Sequence, residues 1–178
     1  MTDLATTLVL GGARSGKSAF AERLVIESGL ARIYLATATA DDEEMKARIA
    51  HHRAQRGQGW STIEEPLALV DALTREATHG RAVLVDCLTL WLSNLMLAGR
   101  DPEIEARRLT RFLGVARYPV IFVSNEVGLG LVPDTPLGRR FRDAQGRLNQ
   151  IMAAAVPDVV LIAAGLPLWL KRSSHTES

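Results

Sequence analysis

The chain has 178 residues and a mass of 19.4 kDa, which suits one globular domain with its own core. A hydrophobic fraction of 47% and a charged fraction of 23% exclude the disordered and fibrous classes. The formal net charge of +1 gives no general attraction to nucleic acids or to anionic membranes, so we expect neither as a partner. Any anion that the protein binds must be held at a local site.

The cysteine content and the apolar runs bear on the compartment. Cys87 is the single cysteine, which excludes an internal disulfide and a multi-cysteine zinc site. No apolar run reaches the roughly 18 residues that span a bilayer, and we see no signal peptide. We therefore expect a cytoplasmic protein without a membrane anchor. One catalytic domain is predicted over residues 1–171, with a frayed tail at 172–178.

Short apolar runs alternate with longer stretches at helical spacing, which predicts the α/β class with parallel strands joined by crossover helices. The predicted strands cover residues 6–10, 33–37, 61–64, 82–85, 120–123 and 159–163, and a last strand at 166–170 is expected to pair antiparallel at an edge. The predicted helices cover residues 17–28, 41–55, 89–98 and 102–117, with one more opening at Pro66 and a long one before the last buried strand.

A glycine-rich segment lies between the first predicted strand and the first predicted helix. It matches the pattern G-x-x-x-x-G-K-[ST] with Gly11, Gly12, Ala13, Arg14, Ser15, Gly16, Lys17 and Ser18. Such a loop points successive N–H groups at phosphate oxygens, and the helix N-terminus adds to the attraction. Lys17 would reach the β and γ phosphates, and Ser18 would place its hydroxyl on Mg²⁺. The alternative is a glycine-rich turn without a ligand.

Asp86 ends the apolar run at 82–85, where a parallel strand delivers its last residue to the carboxyl edge of the sheet. There it could hold the magnesium or orient the attacking group, or it could simply cap the next helix. A P-loop in the same chain favours the first interpretation. The neighbouring Cys87 is expected to be a small buried hydrophobe rather than a nucleophile.

Two adjacent histidines, His51 and His52, lie between arginines on the predicted helix 41–55. Adjacent helical residues point about 100° apart, which suits chelation of one metal poorly. Two interpretations remain open. The segment is either a solvated basic face or a phosphate-handling face in which a neutral imidazole attacks phosphorus and arginines neutralise the phosphate.

Residues 124–133 follow a buried strand and contain Asn125, Glu126 and two glycines. Their position predicts a loop at the same edge as the P-loop. This loop could be a structural turn or a substrate-binding loop, and the residues alone leave both possible. Trp60 and Trp169 are expected to be packing residues.

Four segments, in this order and spacing, carry a resemblance that covers nearly the whole chain: GGARSGKS, YLATATADDEEMKARIAHHRAQRGQGWSTIEEP, VLVDCLTLWLSNL and SNEVGLGLVPDTPLGRRFRDAQGRLNQ. With them the sequence resembles the bifunctional adenosylcobinamide kinase/adenosylcobinamide-phosphate guanylyltransferase family of cobalamin biosynthesis. The chain departs just before Trp60, where many relatives have Arg-Pro and this chain has Arg56-Gly57-Gln58-Gly59. That turn leaves the placement of Arg56 open.

The resemblance implies a RecA-like P-loop NTPase sheet, mostly parallel, in a homo-oligomer that is a trimer in the family. It also implies two reactions. ATP or GTP phosphorylates adenosylcobinamide, and GMP is then transferred from GTP to adenosylcobinamide phosphate with loss of pyrophosphate. His52 matches the histidine that the family guanylylates, and His51 would support it. The implied nucleotide contacts are residues 11–18, Ala36, Thr37, Ala38, Arg53, Ala54, Gln55, Arg56, Glu64 and Asp86, with Mg²⁺ at Ser18 and Asp86.

Two other functions compete with this one. A monofunctional P-loop kinase for another small molecule would transfer the γ-phosphate without forming a covalent adduct. A nucleotide-dependent regulatory module would hydrolyse slowly, without dependence on an acceptor.

Overall fold

The computed structural model describes residues 4–39 and 56–173, so the predicted helix 41–55 lies outside the described residues. The strands are β1 (Thr7–Gly11), β2 (Ala31–Ala36), β3 (Trp60–Glu64), β4 (Arg81–Asp86), β5 (Val120–Asn125), β6 (Asp158–Ala163) and β7 (Leu166–Lys171). The helices are α1 (Lys17–Glu27), α2 (Leu69–Glu76), α3 (Leu88–Leu97), α4 (Pro102–Leu113) and α5 (Pro136–Ala155).

The described strands form one sheet in the order β3-β2-β4-β5-β1-β6-β7. All neighbouring pairs from β3 to β6 are parallel, and β7 runs antiparallel to β6 at the edge. The predicted α/β class and the antiparallel edge strand are therefore confirmed. Because β1 to β6 run in one direction, the residues that end them meet at one edge of the sheet.

Helices cover both faces of the sheet, and the strand side chains alternate between them. In β4, Val83 and Val85 belong to the cluster that α2 to α5 complete, whereas Leu84 packs with Phe20 of α1 on the other face. A central strand buried on both sides explains why β4 is a continuous apolar run in the sequence.

Two helix boundaries differ from the prediction by three residues or more. The helix expected to open at Pro66 begins at Leu69, because the Glu65 carboxylate accepts from the N–H groups of Leu67 (3.1 Å) and Ala68 (2.8 Å) and forms a turn first. The helix expected over 102–117 ends at Leu113, followed by Gly114 at the C-cap. None of the helices within residues 4–39 and 56–173 is long and apolar enough to cross a membrane.

Candidate active site

The loop between β1 and α1 is a tight P-loop. Arg14 and Gly16 have φ angles of 56° and 95°, both in the left-handed region. A Cβ on Gly11 would overlap the Ser15 hydroxyl and lie 2.8 Å from the Ile162 carbonyl oxygen, so only glycine fits there. A Cβ on Gly12 would meet no atom within 4 Å. The Lys17 ammonium donates a hydrogen bond to the Gly12 carbonyl (3.0 Å), which places its charge over the loop.

Main-chain hydrogen bonds from two neighbouring segments hold the P-loop. The Gly165 N–H, in the β6–β7 turn, donates to the Ser15 carbonyl at 2.9 Å. The Glu126 N–H, just after β5, donates to the Gly11 carbonyl at 3.0 Å. Because these carbonyls are bonded within the protein, the loop conformation is set before any ligand arrives.

Asp86 ends β4, which β5 separates from β1 in the sheet, and it is in register with Ala36 of β2 and Val123 of β5. Its Oδ2 accepts a hydrogen bond from the Tyr34 hydroxyl at 3.0 Å. Its main-chain carbonyl accepts from the Thr37 N–H at 3.2 Å. Tyr34 thus holds the carboxylate of Asp86, and Thr37, which follows β2, holds its main chain.

Thr37 secures the turn after β4. Its fully buried hydroxyl donates to the Cys87 carbonyl (2.7 Å) and accepts from the Cys87 N–H (2.8 Å). Its carbonyl accepts from the Asn94 side chain of α3 at 2.8 Å. The Thr37 side chain is therefore bonded within the protein.

Arg56 is buried, with 8% of its surface exposed. Its guanidinium carbon lies 3.3 Å from the centre of the Tyr34 ring and 5.9 Å from that of the Trp60 ring. Its Nη1 has no hydrogen-bond partner among the described residues. A buried guanidinium with an unused donor is a place where an anion binds favourably.

The charges of Arg56, Asp86 and Glu22 act on one another. Burial raises the pKa of Glu22, a half-buried residue of α1, while Arg56 lowers that pKa and Asp86 raises it. Burial and the Asp86 charge raise the pKa of the Tyr34 hydroxyl far above its usual range, which keeps it a donor. Burial, with the Asp86 charge, raises the pKa of Cys87 to about 11. Since Cys87 is buried and its thiol stays neutral, it is a small core residue, as predicted.

The remaining predicted residues divide into those at this edge and those outside the described ranges. Glu64 ends β3 in register with Ala36, and its side chain is exposed. Glu64, Ala36, Asp86 and the P-loop therefore share the carboxyl edge of the sheet. His51, His52, Arg53, Ala54 and Gln55 lie outside the described residues.

The loop at 124–133 starts from a buried polar network. The Ser124 hydroxyl donates to the Asn149 Oδ1 (2.7 Å), and the Gln145 side-chain amide donates to both residues (2.9 Å each). Asn149 also donates to the Asn125 carbonyl (3.1 Å), so α5 anchors the base of the loop. Leu129 and Leu131, further along, are 86% and 96% exposed.

A family model described as cobinamide kinase/cobinamide phosphate guanyltransferase matches residues 7–170. The chain belongs to this family. It is 53% identical over 166 residues to the bifunctional adenosylcobalamin biosynthesis protein CobP of Pseudomonas aeruginosa, covering 92% of this chain and 96% of that one. It is 38% identical over 179 residues to the bifunctional protein CobU of Escherichia coli, covering 92% and 98%. The predicted resemblance is confirmed, and the chain is an enzyme of this bifunctional kinase and guanyltransferase type.

Similar solved structures show the fold of this cobinamide kinase/guanyltransferase. The flagellar accessory protein FlaH of Methanocaldococcus jannaschii superposes with a TM-score of 0.53 at 12% identity, over 95% of this chain and 79% of that one. The P4 protein of bacteriophage phi6 in complex with ADP gives 0.53 at 16% identity, over 96% and 56%. The RadB recombinase gives 0.51 at 16% identity, over 88% and 73%. They share the mostly parallel sheet flanked by helices that this chain forms, so the predicted fold class is confirmed.

The donors at the P-loop of this family member suit a divalent cation. Ser18 offers a hydroxyl and Asp86 a carboxylate, both hard oxygen ligands of the kind that magnesium takes together with phosphate oxygens and water. Within residues 4–39 and 56–173, no group of three or more His, Cys, Asp or Glu side chains could hold a metal without such help.

Four residues of the site or its support were not singled out from the sequence: Glu22, Tyr34, Gln145 and Asn149. Gln145 and Asn149 left a usable signal, because two amides at i and i+4 on the buried face of a helix need partners. Tyr34 is a polar aromatic residue in the middle of an apolar strand, and such a hydroxyl usually finds a partner when buried. Glu22 left no signal, since a glutamate on a helix is ordinarily a solvated residue.

We expect Glu22→Gln to raise the melting temperature of the ligand-free protein at pH 7.5. Because folding raises the pKa of Glu22, the folded state favours the protonated carboxyl; that stabilisation is present below the ordinary pKa of 4.5 and is lost as the pH rises through the folded-state value. Gln mimics the protonated form. The gain should be on the order of 1 °C, since water screens a half-exposed carboxyl, and it should shrink toward pH 4.5.

Thermal unfolding of both proteins at pH 7.5 and 4.5 measures this difference. Glu27→Gln is the control, because Glu27 is exposed on the same helix. A lower melting temperature for Glu22→Gln at pH 7.5 would show that attraction to Arg56 outweighs burial.

Proposed function

We propose that the chain phosphorylates adenosylcobinamide with ATP or GTP and then transfers GMP from GTP to the product through a guanylylated His52. The observation that carries the proposal is the position of Arg56. His52 precedes Arg56 by four residues, a span of at most about 14 Å of extended chain. Arg56 itself is buried over Tyr34, whose hydroxyl bonds Asp86 beside the P-loop. This connection along the chain supports a role for the histidine segment at the phosphate site.

In the first reaction the hydroxyl oxygen on the aminopropanol arm of adenosylcobinamide attacks the γ-phosphorus, and the hydroxyl proton passes to solvent water. The bond between the γ-phosphorus and the bridging β-phosphate oxygen breaks, and ADP or GDP leaves. Lys17 and the amides of residues 11–18 stabilise the negative charge that develops on the phosphoryl oxygens. Mg²⁺, held through Ser18 and Asp86 when nucleotide is bound, would neutralise phosphate charge. The P-loop, Asp86 and Lys17 account for this reaction by themselves.

The second reaction needs a nucleophile away from the γ-phosphate. A nitrogen of the His52 imidazole attacks the α-phosphorus of GTP, a P–N bond forms, and pyrophosphate leaves. A phosphate oxygen of adenosylcobinamide phosphate then attacks the same phosphorus, which forms adenosylcobinamide-GDP and releases the histidine. Arg53 and Arg56 would neutralise the phosphate under attack, with Ala54, Gln55, Glu64 and Ala36 to Ala38 as further nucleotide contacts.

Labelled GTP tests the proposal. The protein is mixed with Mg²⁺ and GTP labelled at either the α or the γ phosphate, denatured, and examined for label on the chain. We expect acid-labile, base-stable label from α-labelled GTP only, and transfer of γ-label to adenosylcobinamide. Transfer of γ-label without any α-label on the chain would indicate a monofunctional kinase. Slow GTP hydrolysis at a rate that does not depend on adenosylcobinamide would indicate a regulatory module.

We also propose that the enzyme works in the cytoplasm as a homotrimer. The edge strand β7 exposes Leu166 (71%), Leu168 (58%) and Leu170 (56%), an apolar surface of the kind that subunits cover. Sedimentation equilibrium measures the mass directly, and the mass of a single chain at micromolar concentration would contradict the trimer.

A further inference from the structure

Tyr34 lies between two charged residues that the proposed chemistry uses. Its hydroxyl donates to the Asp86 Oδ2 at 3.0 Å, and its ring face supports the Arg56 guanidinium at 3.3 Å. Only 8% of its surface is exposed. One side chain therefore contacts the acid at the P-loop and the arginine that follows the histidine segment.

The surroundings of Tyr34 fix its orientation. Its backbone pairs with Thr62 of β3 on one side and Leu84 of β4 on the other. Its ring meets Trp60 edge to face, with centroids 6.1 Å apart and an angle of 88°. Phe20 of α1 belongs to the same buried cluster. A side chain confined by two strands and a helix can hold its partners at fixed positions.

Both partners of Tyr34 need to be held. A carboxylate that helps to bind a cation must point at it, and a free carboxylate rotates about χ1 and χ2. Arg56 has an unused buried donor, Nη1, so its guanidinium is anchored by stacking rather than by hydrogen bonds there. The ring of Tyr34 supplies that stacking, and the hydroxyl of Tyr34 restricts Asp86.

We infer that Tyr34 is a positioning residue that orients Asp86 with its hydroxyl and Arg56 with its ring. The inference rests on the proposed function, in which Asp86 serves the metal–phosphate end of the nucleotide and Arg56 contacts its phosphates. The two roles are chemically separable. Tyr34→Phe removes the hydroxyl and keeps the ring, whereas Tyr34→Leu removes both.

Equilibrium binding of GDP, with and without Mg²⁺, separates the two roles without relying on turnover. For Tyr34→Phe we expect metal-free affinity within about twofold of wild type, but a gain in affinity on adding Mg²⁺ that is about tenfold smaller, which is the effect of one hydrogen bond to a charged group. For Tyr34→Leu we expect the same smaller gain and also a roughly tenfold weaker metal-free affinity, since Arg56 loses its stacking partner.

Tyr118→Phe is the matched control, because Tyr118 is half-buried just before β5, at the opposite edge of the sheet. It should bind GDP as wild type does in both conditions. If Tyr34→Leu fails to fold, Arg56→Gln can replace it, because it removes the guanidinium that stacks on the Tyr34 ring. It should weaken metal-free GDP binding to the same degree and leave the gain on adding Mg²⁺ unchanged.

A Mg²⁺ gain in Tyr34→Phe equal to that of wild type would overturn the role of the hydroxyl. Metal-free affinity equal to that of wild type in Tyr34→Leu, or in Arg56→Gln if Tyr34→Leu does not fold, would overturn the role of the ring. The labelling of wild-type protein with α-labelled GTP is independent of these variants. If the Tyr34 variants bind GDP as wild type does, the positioning role fails and the proposed function is unaffected. If wild-type protein takes no α-label, the proposed function fails whatever the variants show.

Discussion

Lys17→Met should lower the rate of phosphoryl transfer from GTP to adenosylcobinamide by about 10³-fold, the cost of removing one charged donor from a developing phosphoryl charge. Methionine keeps the length and the apolar stem of lysine and removes only the ammonium. In the structure that ammonium donates to the Gly12 carbonyl at 3.0 Å, over the loop where the phosphates are expected. The loss should therefore fall mainly on the chemical step.

Single-turnover transfer from γ-labelled GTP measures the rate for Lys17→Met. Arg23→Met is the matched control: Arg23 is an exposed cation on the same helix, 5.6 Å from the centre of the Phe20 ring. Its rate should stay within about twofold of wild type. A Lys17→Met enzyme that keeps a tenth of the wild-type rate would mean that this loop is a glycine-rich turn and that the phosphate is bound elsewhere.

The P-loop and Asp86 could be located from sequence because their signals are local. Eight consecutive residues between a strand and a helix define the loop, and a buried run ending in an acid defines Asp86. Because parallel strands end at one edge of the sheet, both are expected at the same edge. The edge strand β7 could also be located from sequence, as a short apolar run directly after β6. It pairs antiparallel with β6, and its leucines are exposed.

The contacts of Tyr34 could not be predicted in this way. Tyr34 and Asp86 are 52 residues apart, and their hydrogen bond requires β2 and β4 to be neighbours in the sheet. Nothing in the sequence orders these strands, since β3 lies between them along the chain. The burial of Arg56 is similar, because it depends on Tyr34 and Trp60 coming together from adjacent strands. The roles of His52 and of residues 53–55 stay predictions.

His52→Ala should abolish the α-label on the chain and lower guanylyl transfer by about 10⁴-fold or more, the size of effect seen when a covalent nucleophile is removed. Phosphorylation of adenosylcobinamide should stay within about threefold of wild type, because Lys17, Ser18 and Asp86 are untouched. His51→Ala is the matched control. It should form the adduct more slowly, as expected for a supporting neighbour rather than the nucleophile.

This separation of the two activities bears on how the nucleotide binds. A P-loop places the γ-phosphate near Lys17, whereas attack by His52 needs the α-phosphorus within its reach, so we propose that GTP binds differently in the two reactions. If His52→Ala lost both activities equally while keeping nucleotide affinity, a single binding mode would serve both steps and the histidine would act in each. If phosphorylation alone survives, the histidine acts only in the guanylyl transfer, as two separate binding modes require.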